Sequence, residues 1–261
     1  MLLPPTKSGR IWLVVLVAAV GVLAVLMLPP LQQPQSYHQF ADQRAMFGIP
    51  NFMNVVSNGG FLVVGLMGLG FLMQKRAAGA SGSFIEPSER LPYAVFFLGA
   101  VLTCFGSAYY HWAPNDATLV WDRIPMTLAF MSLLAATISE RINVKAGRRL
   151  LWPLVLAGAG SVAYWRWQGN LWPYAAAQYF SILLVGLLVV LFPPRYSRST
   201  DLLGIVGLYA LAKTAEALDD RIFAVARIIS GHTLKHLIAA IAVLWLLRML
   251  IKRSPGVDRP T

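Results

Sequence analysis

Residues 229–250, ISGHTLKHLIAAIAVLWLLRML, decide how this chain reads. The stretch is long enough for a helix to cross a bilayer, which needs about 20 predominantly apolar residues. Apart from Arg248 near its far end, its polar residues are not scattered. Ser230, His232, Thr233, Lys235 and His236 all fall in the first two turns. His232 and His236 are four apart, so on a helix they lie on one face, one turn above the other. That is the spacing with which one helix gives two nitrogens to one metal.

The chain has only four histidines. A third, His111, ends another apolar segment, in Gly106-Ser107-Ala108-Tyr109-Tyr110-His111. Two histidines from one helix and one from a second leave an open fourth position on zinc, as a catalytic site requires.

Composition sets the class. Of 261 residues, 57% are hydrophobic and 13% charged. A soluble domain of this size usually carries about 25% charged residues. Mean hydropathy is +0.61. The class is all-α: a polytopic transmembrane helical bundle. The net charge of +11 does not point to nucleic acid, because the basic residues sit in short connections between apolar runs. There they act as topology signals and headgroup contacts. The single cysteine, Cys104, excludes an intrachain disulfide and reads as a small packing residue.

The apolar runs predict eight helices, at 11–28, 52–73, 91–112, 119–139, about 150–167, 172–192, 202–218 and 229–250. The first follows Lys7 and Arg10, as a signal peptide does. It is expected to be retained, because Pro29-Pro30-Leu31-Gln32 offers no small-x-small cleavage site. In the second, Gly65, Gly68 and Gly70 are expected to let a neighbouring helix approach. Asn115 or Asp116 is the expected N-cap of the fourth. With a cytoplasmic N-terminus, fifteen of the 22 Lys and Arg fall on the cytoplasmic side, Lys75, Arg76 and Arg259 among them. Five fall opposite: Arg44, Arg123, Arg166, Arg221 and Arg227. That bias predicts both termini in the cytoplasm.

His111, Asp122, His232 and His236 then lie within roughly 10 Å of one membrane boundary, the non-cytoplasmic one, at 1.5 Å per residue. Nothing in the hydropathy forces four residues to share that depth. Ionisable groups inside a membrane are costly and mark function. Ser107 is one turn before His111 and on its face. Each also has a plainer reading. Ser107 can bond back to the carbonyl of residue 103. Asp122 can pair with Arg227 or Arg221 across the bundle. Lys235, about 100° round the helix from its neighbours, is expected to face another helix or to snorkel. Glu216, Asp219 and Asp220 either support the site or are only a polar helix end. His38 reads as a loop residue.

Three segments resemble one family, the alkaline ceramidases, within a superfamily of seven-helix membrane hydrolases. They are Asn51-Phe52-Met53-Asn54-Val55-Val56-Ser57-Asn58, then Gly106 to His111 with Trp121-Asp122-Arg123-Ile124-Pro125-Met126, and Gly231 to His236. The resemblance implies a seven-helix zinc hydrolase core over 37–253. It is preceded by an N-terminal tail, extra helix and linker (1–36) and followed by a C-terminal tail (254–261). It implies zinc held by His111, His232 and His236, with Asp122 and Ser107 completing the catalytic site. Asn54, Ser57, Asn58 and Tyr110, with Glu216 and Asp219, are the expected supporting residues. A ceramide-like membrane lipid is the implied substrate and the bilayer the implied partner, with no nucleic acid. A bacterial-type member implies the inner membrane. One departure matters. The eukaryotic ceramidases bind calcium through an acidic N-terminal stretch ending in Glu; here Asn51 stands in that place and Asp42 is almost the only acid upstream, which argues against calcium.

The expected reaction is amide hydrolysis to a sphingoid base and a fatty acid, with Asp122 as proton acceptor and Ser107 on the oxyanion. Two alternatives stay open: hydrolysis of another lipid amide, and a zinc-containing lipid receptor without turnover.

Overall fold

The apolar runs become helices where short polar side chains stop them. The Asn115 carboxamide accepts from the backbone N–H of Ala117 and Thr118 at 2.9 and 3.0 Å, and so opens a helix three residues earlier than hydropathy predicts. Asn143 and Ser230 cap two others in the same way. Gly169 ends one with a positive φ of 72°, a conformation that favours glycine. Pro193 and Pro194 follow directly on another, which ends at Leu191.

The computed structural model describes residues 6–74 and 82–256. Lys75, Arg76, Arg259 and residues 257–261 of the expected tail lie outside them. The helices are α1 (Lys7–Met27), α2 (Phe52–Met73), α3 (Arg90–Trp112), α4 (Asp116–Arg141), α5 (Val144–Gln168), α6 (Trp172–Leu191), α7 (Asp201–Ala217), α8 (Asp219–Ala226) and α9 (Gly231–Lys252). Helix makes up 77% of the structure, and the described residues form no strand. The chain is all-α.

Three features depart from the expected pattern. α2 is interrupted at Ser57–Asn58. α6 contains a π-helical turn over Ala176–Phe180. Asp219 and Asp220 open α8, a short amphipathic helix where only a polar turn was expected. Among the described residues, six helical segments are long and apolar enough to cross a membrane: α1, α2, α3, α4, α6 and α9. α5, basic at both ends, and α7, with 17 residues, fall outside that criterion, so eight spans stay an expectation.

Packing closes six of the helices into a ring. α2 lies along α3 and α3 along α4; α4 meets α6, α6 meets α7, α7 lies along α9, and α9 returns to α2. α5 packs outside on α4, and α1 outside on α6. None of α1 is buried. It meets the ring at Gly21, where an added Cβ would stand 2.4 Å from the Phe180 ring. Gly65 and Gly68 admit α3 as expected: a Cβ at Gly68 would lie 2.3 Å from the Phe97 ring. Gly70 faces open space and admits nothing. Cys104 is buried and free.

Candidate metal centre

The site begins with one close helix approach. Pro125 has no N–H to offer the Trp121 carbonyl four residues back. Gly106 of α3 comes against that carbonyl; a Cβ there would stand 1.9 Å from the Trp121 oxygen. Glycine is required, and the approach sets Ser107 beside Asp122, with which it interacts side chain to side chain. Both residues are buried. Asp122 thus has Ser107, Lys235 and Arg123 among its main neighbours rather than Arg221 or Arg227.

One turn on, α3 presents His111. α9 presents His232 and His236. The three rings meet with centroids 4.8, 4.9 and 5.0 Å apart. One nitrogen from each lies within 4.8 Å of the others, and the three can hold a metal ion.

The surroundings fit such an ion. His111 is completely buried, yet neither ring nitrogen has a hydrogen-bond partner. A buried polar group left unpaired costs roughly 1–3 kcal/mol, and a ligand would remove that cost. His236 Nδ1 lies 2.8 Å from the Ser57 hydroxyl, which donates its own proton to the Asn54 carbonyl. Nδ1 therefore carries the hydrogen, and Nε2 keeps its lone pair. An outer hydrogen bond that fixes the tautomer is usual behind a metal-binding histidine. His232 Nε2 accepts from the Lys235 ammonium at 2.8 Å, and this bond would have to give way for that nitrogen to hold an ion.

The expected supporting residues divide. Asn54 accepts from Thr233 at 2.8 Å and ties the α2 interruption to the first turn of α9. Ser57 holds His236. Asp219 accepts from the His232 backbone N–H at 2.7 Å. Tyr110 lays its ring on His111, centroids 4.9 Å apart. Glu216 takes Lys235 at 2.9 Å, Lys213 still closer, and the Tyr37 hydroxyl at 3.2 Å. Asn58 differs: it donates back to the Asn54 and Val55 carbonyls and reaches no histidine.

A strap over residues 35–44 covers the histidines, and the sequence gives no periodic sign of it. Gln35–His38 form one 3-10 turn. His38, expected as a plain loop residue, bridges the Tyr110 hydroxyl and Asp116 at 3.0 Å each. The Phe40 ring lies 4.7 Å from His111 and 4.8 Å from His232. The Ala41 N–H donates to Asp219 at 3.0 Å. Burial, and then the Glu216 carboxylate, hold the Tyr37 phenol well above its usual range, so it stays a donor. Lys235 faces another helix, as one of its two expected readings has it: its ammonium meets Glu216 of α7 and does not snorkel, and it also reaches back one helical turn to His232.

Under the strap, Ser107, Asp122, His236, Lys235 and Glu216 form the head of a cavity of about 140 Å³. Its walls continue down the ring as Phe96, Ala129, Leu133, Ile205 and Val243. Leu133 is eleven residues along α4 from Asp122, so the cavity runs roughly 16 Å from its polar head. No family model matches the chain, and no curated protein matches it.

Proposed function

We propose that this protein is an integral-membrane, zinc-dependent amidohydrolase that cleaves the amide bond of a ceramide-like lipid to a fatty acid and an amine. The resemblance to the alkaline ceramidases motivates the substrate class. The observation that carries the reading is one juxtaposition. A histidine with both nitrogens unpaired stands beside two more histidines, and one of these, His236, lines a mostly apolar cavity together with Asp122 and Ser107. The cavity suits a lipid in a hydrolase and in a receptor alike; the buried Asp122 and Ser107 that line it with His236 favour turnover.

His111, His232 and His236 would hold the metal. When bound, zinc supplies a Lewis acid that acidifies water and polarises a carbonyl. The chain's own residues do the rest. The apolar walls take the acyl chain and exclude water from it. The strap closes the histidines over with Phe40 and Tyr37, so the lipid enters between helices. Asp122, buried and beside Ser107, accepts the proton of the attacking water and delivers it to the leaving amine. The Ser107 hydroxyl donates to the oxyanion as charge develops on it. In the expected topology eight segments span the membrane, both termini are cytoplasmic, and the histidines sit near the opposite boundary.

Metal content and turnover on one purified sample test this. Wild type should carry one zinc per chain and release fatty acid from a short-chain ceramide. His232→Ala should lose both. Asp122→Asn should keep the metal and lose turnover by at least about a hundredfold, the usual worth of a positioned general base. Near-normal release by Asp122→Asn would remove its assigned role. Absence of zinc from wild type purified without chelators would overturn the metal reading.

A further inference from the structure

Lys213 has no part in the reaction above, and its position asks for one. It sits on α7 one turn below Glu216, with its side chain 26% exposed. It pairs with Glu216, and its ammonium lies 5.6 Å from the centre of the Tyr179 ring. Glu216 also pairs with Lys235, whose side chain is 16% exposed. One carboxylate therefore serves two ammonium groups, and all three residues line the cavity head.

Charge decides what else belongs there. Asp122, Glu216, Lys213 and Lys235 line the cavity and cancel among themselves. A metal ion at the histidines would leave the head net positive. Buried cations are expensive unless an anion meets them. Ceramide offers none, since its amide and hydroxyls are neutral.

Geometry says where the anion would sit. The apolar depth toward Leu133 and Val243 takes the acyl chain, so a charge at the chain's far end would fall among hydrocarbon. Lys213 lies at the polar head, beside Glu216 and the half-exposed ring of Tyr179. We propose that the amine portion of the substrate bears a carboxylate, held by Lys213 with Lys235, so that the cavity takes N-acyl amino acids. This rests on the lipid-amidase reading for the reaction and puts an N-acyl amino acid in the place of ceramide as its substrate; the recognition itself does not require turnover.

Two ligands of nearly one shape isolate the charge: N-dodecanoylglycine and N-dodecanoylethanolamine. Their affinities would be measured by tryptophan fluorescence on the full chain in lipid nanodiscs, with Asp122→Asn protein repeating the titration where turnover interferes. Wild type should bind the acylglycine at least about tenfold more tightly, the low end of what a charge-assisted hydrogen bond contributes. Lys213→Met should bring the two within about twofold without weakening the ethanolamide, and Lys213→Arg should keep the preference. Equal affinities in wild type, which need no variant to fold, would overturn the proposal. So would equal loss of both ligands in Lys213→Met, or binding of dodecanoate as tight as the acylglycine. Fatty-acid release, followed in parallel, separates the two readings. Preference without release overturns hydrolysis and supports the carboxylate site. Release from ceramide without preference does the reverse.

Discussion

The two ends of this bundle both bury charge, and they do so in opposite ways. At the end away from the histidines, Arg253 and Glu140 form an ion pair with both side chains 1% exposed. Arg253 also donates to the Ser83 carbonyl at 2.7 Å and lies 4.1 Å from the centre of the Tyr196 ring. Tyr93 donates to Glu140, and Tyr196 to Glu89, at 2.6 Å each. Arg141 donates to the Phe192 carbonyl at 2.7 Å. Every one of these side chains has at least one protein partner, although Glu140 Oε2, Arg141 Nε and Arg253 Nη2 are buried without one, and the partners come from different helices and connections. At the histidine end, His111 has none, and its neighbours open onto a cavity. Burial of charge alone therefore does not mark a site. Side chains that each hold a partner make an anchor; a side chain with no partner at all beside open space marks a place for something else.

The comparison breaks first, and by the largest effect, at the anchor. Removing one member of a buried pair strands the other, at a cost of about 3–5 kcal/mol. Glu140→Ala should therefore lower thermal stability severely or abolish folding. Replacing both partners, Glu140→Leu with Arg253→Met, should recover most of the loss, because no charge is stranded. Metal content per folded chain should stay at the wild-type value in the double variant. A single variant that melts within about 1 kcal/mol of wild type would mean the pair is not an anchor, and the contrast between the ends would fail.

A smaller effect of another kind is expected from Ser57. Its hydroxyl fixes the His236 tautomer and makes no contact with the anchor. Loss of such an outer hydrogen bond typically weakens metal binding by about 10–100-fold. Ser57→Ala should show that loss in a competition titration against a chelator while the metal-free melting temperature hardly moves. Unchanged affinity would show that His236 is not held through Ser57. A fall in metal-free stability as large as that of Glu140→Ala would make this end an anchor too.

How much of this was legible beforehand follows from the kind of signal each feature carries. The long helices announce themselves through apolar length, because a bilayer-crossing segment has to satisfy its backbone internally. The histidines are legible because the 3.6-residue period turns a spacing of four into one face, and because His111 and Asp122 fall at the same depth. Rotation about the axis is weaker evidence for a long side chain. The direction of its Cβ sends Lys235 toward another helix, where it meets Glu216, but four methylenes also carry its ammonium back to His232, which rotation alone does not show. The strap is invisible to periodicity: Tyr37, His38 and Phe40 lie in one 3-10 turn and an extended run, and only the assembled ring gives them partners. The eight residues of α8 are too short and too polar to stand out. The π-helical turn in α6 leaves no compositional trace.

The smallest expected effect concerns how the strap is fastened. Where the anchor pair is buried on both sides, Asp42 is buried but its partner Arg44 is 47% exposed. Two charge-assisted bonds of 2.8 Å join them, and these hold the Asp42 carboxyl below its ordinary value of 3.8. A carboxyl whose pKa is lower folded than unfolded stabilises fully above the unfolded value. That contribution disappears as pH falls from there through the folded value, where both states are protonated. The strap should therefore loosen below about pH 4, by no more than about 1 kcal/mol, since a half-exposed pair contributes little. Amide exchange over residues 37–44 should quicken as pH is lowered through that window, beyond the intrinsic change of exchange rate with pH, and Asp42→Asn should exchange quickly at neutral pH and lose the extra acid step. The anchor end should show no matching step. If the strap of Asp42→Asn were protected as in wild type, Phe40 packing on the histidine rings would be what fastens it, and the histidine end would be closed by apolar contact rather than by charge.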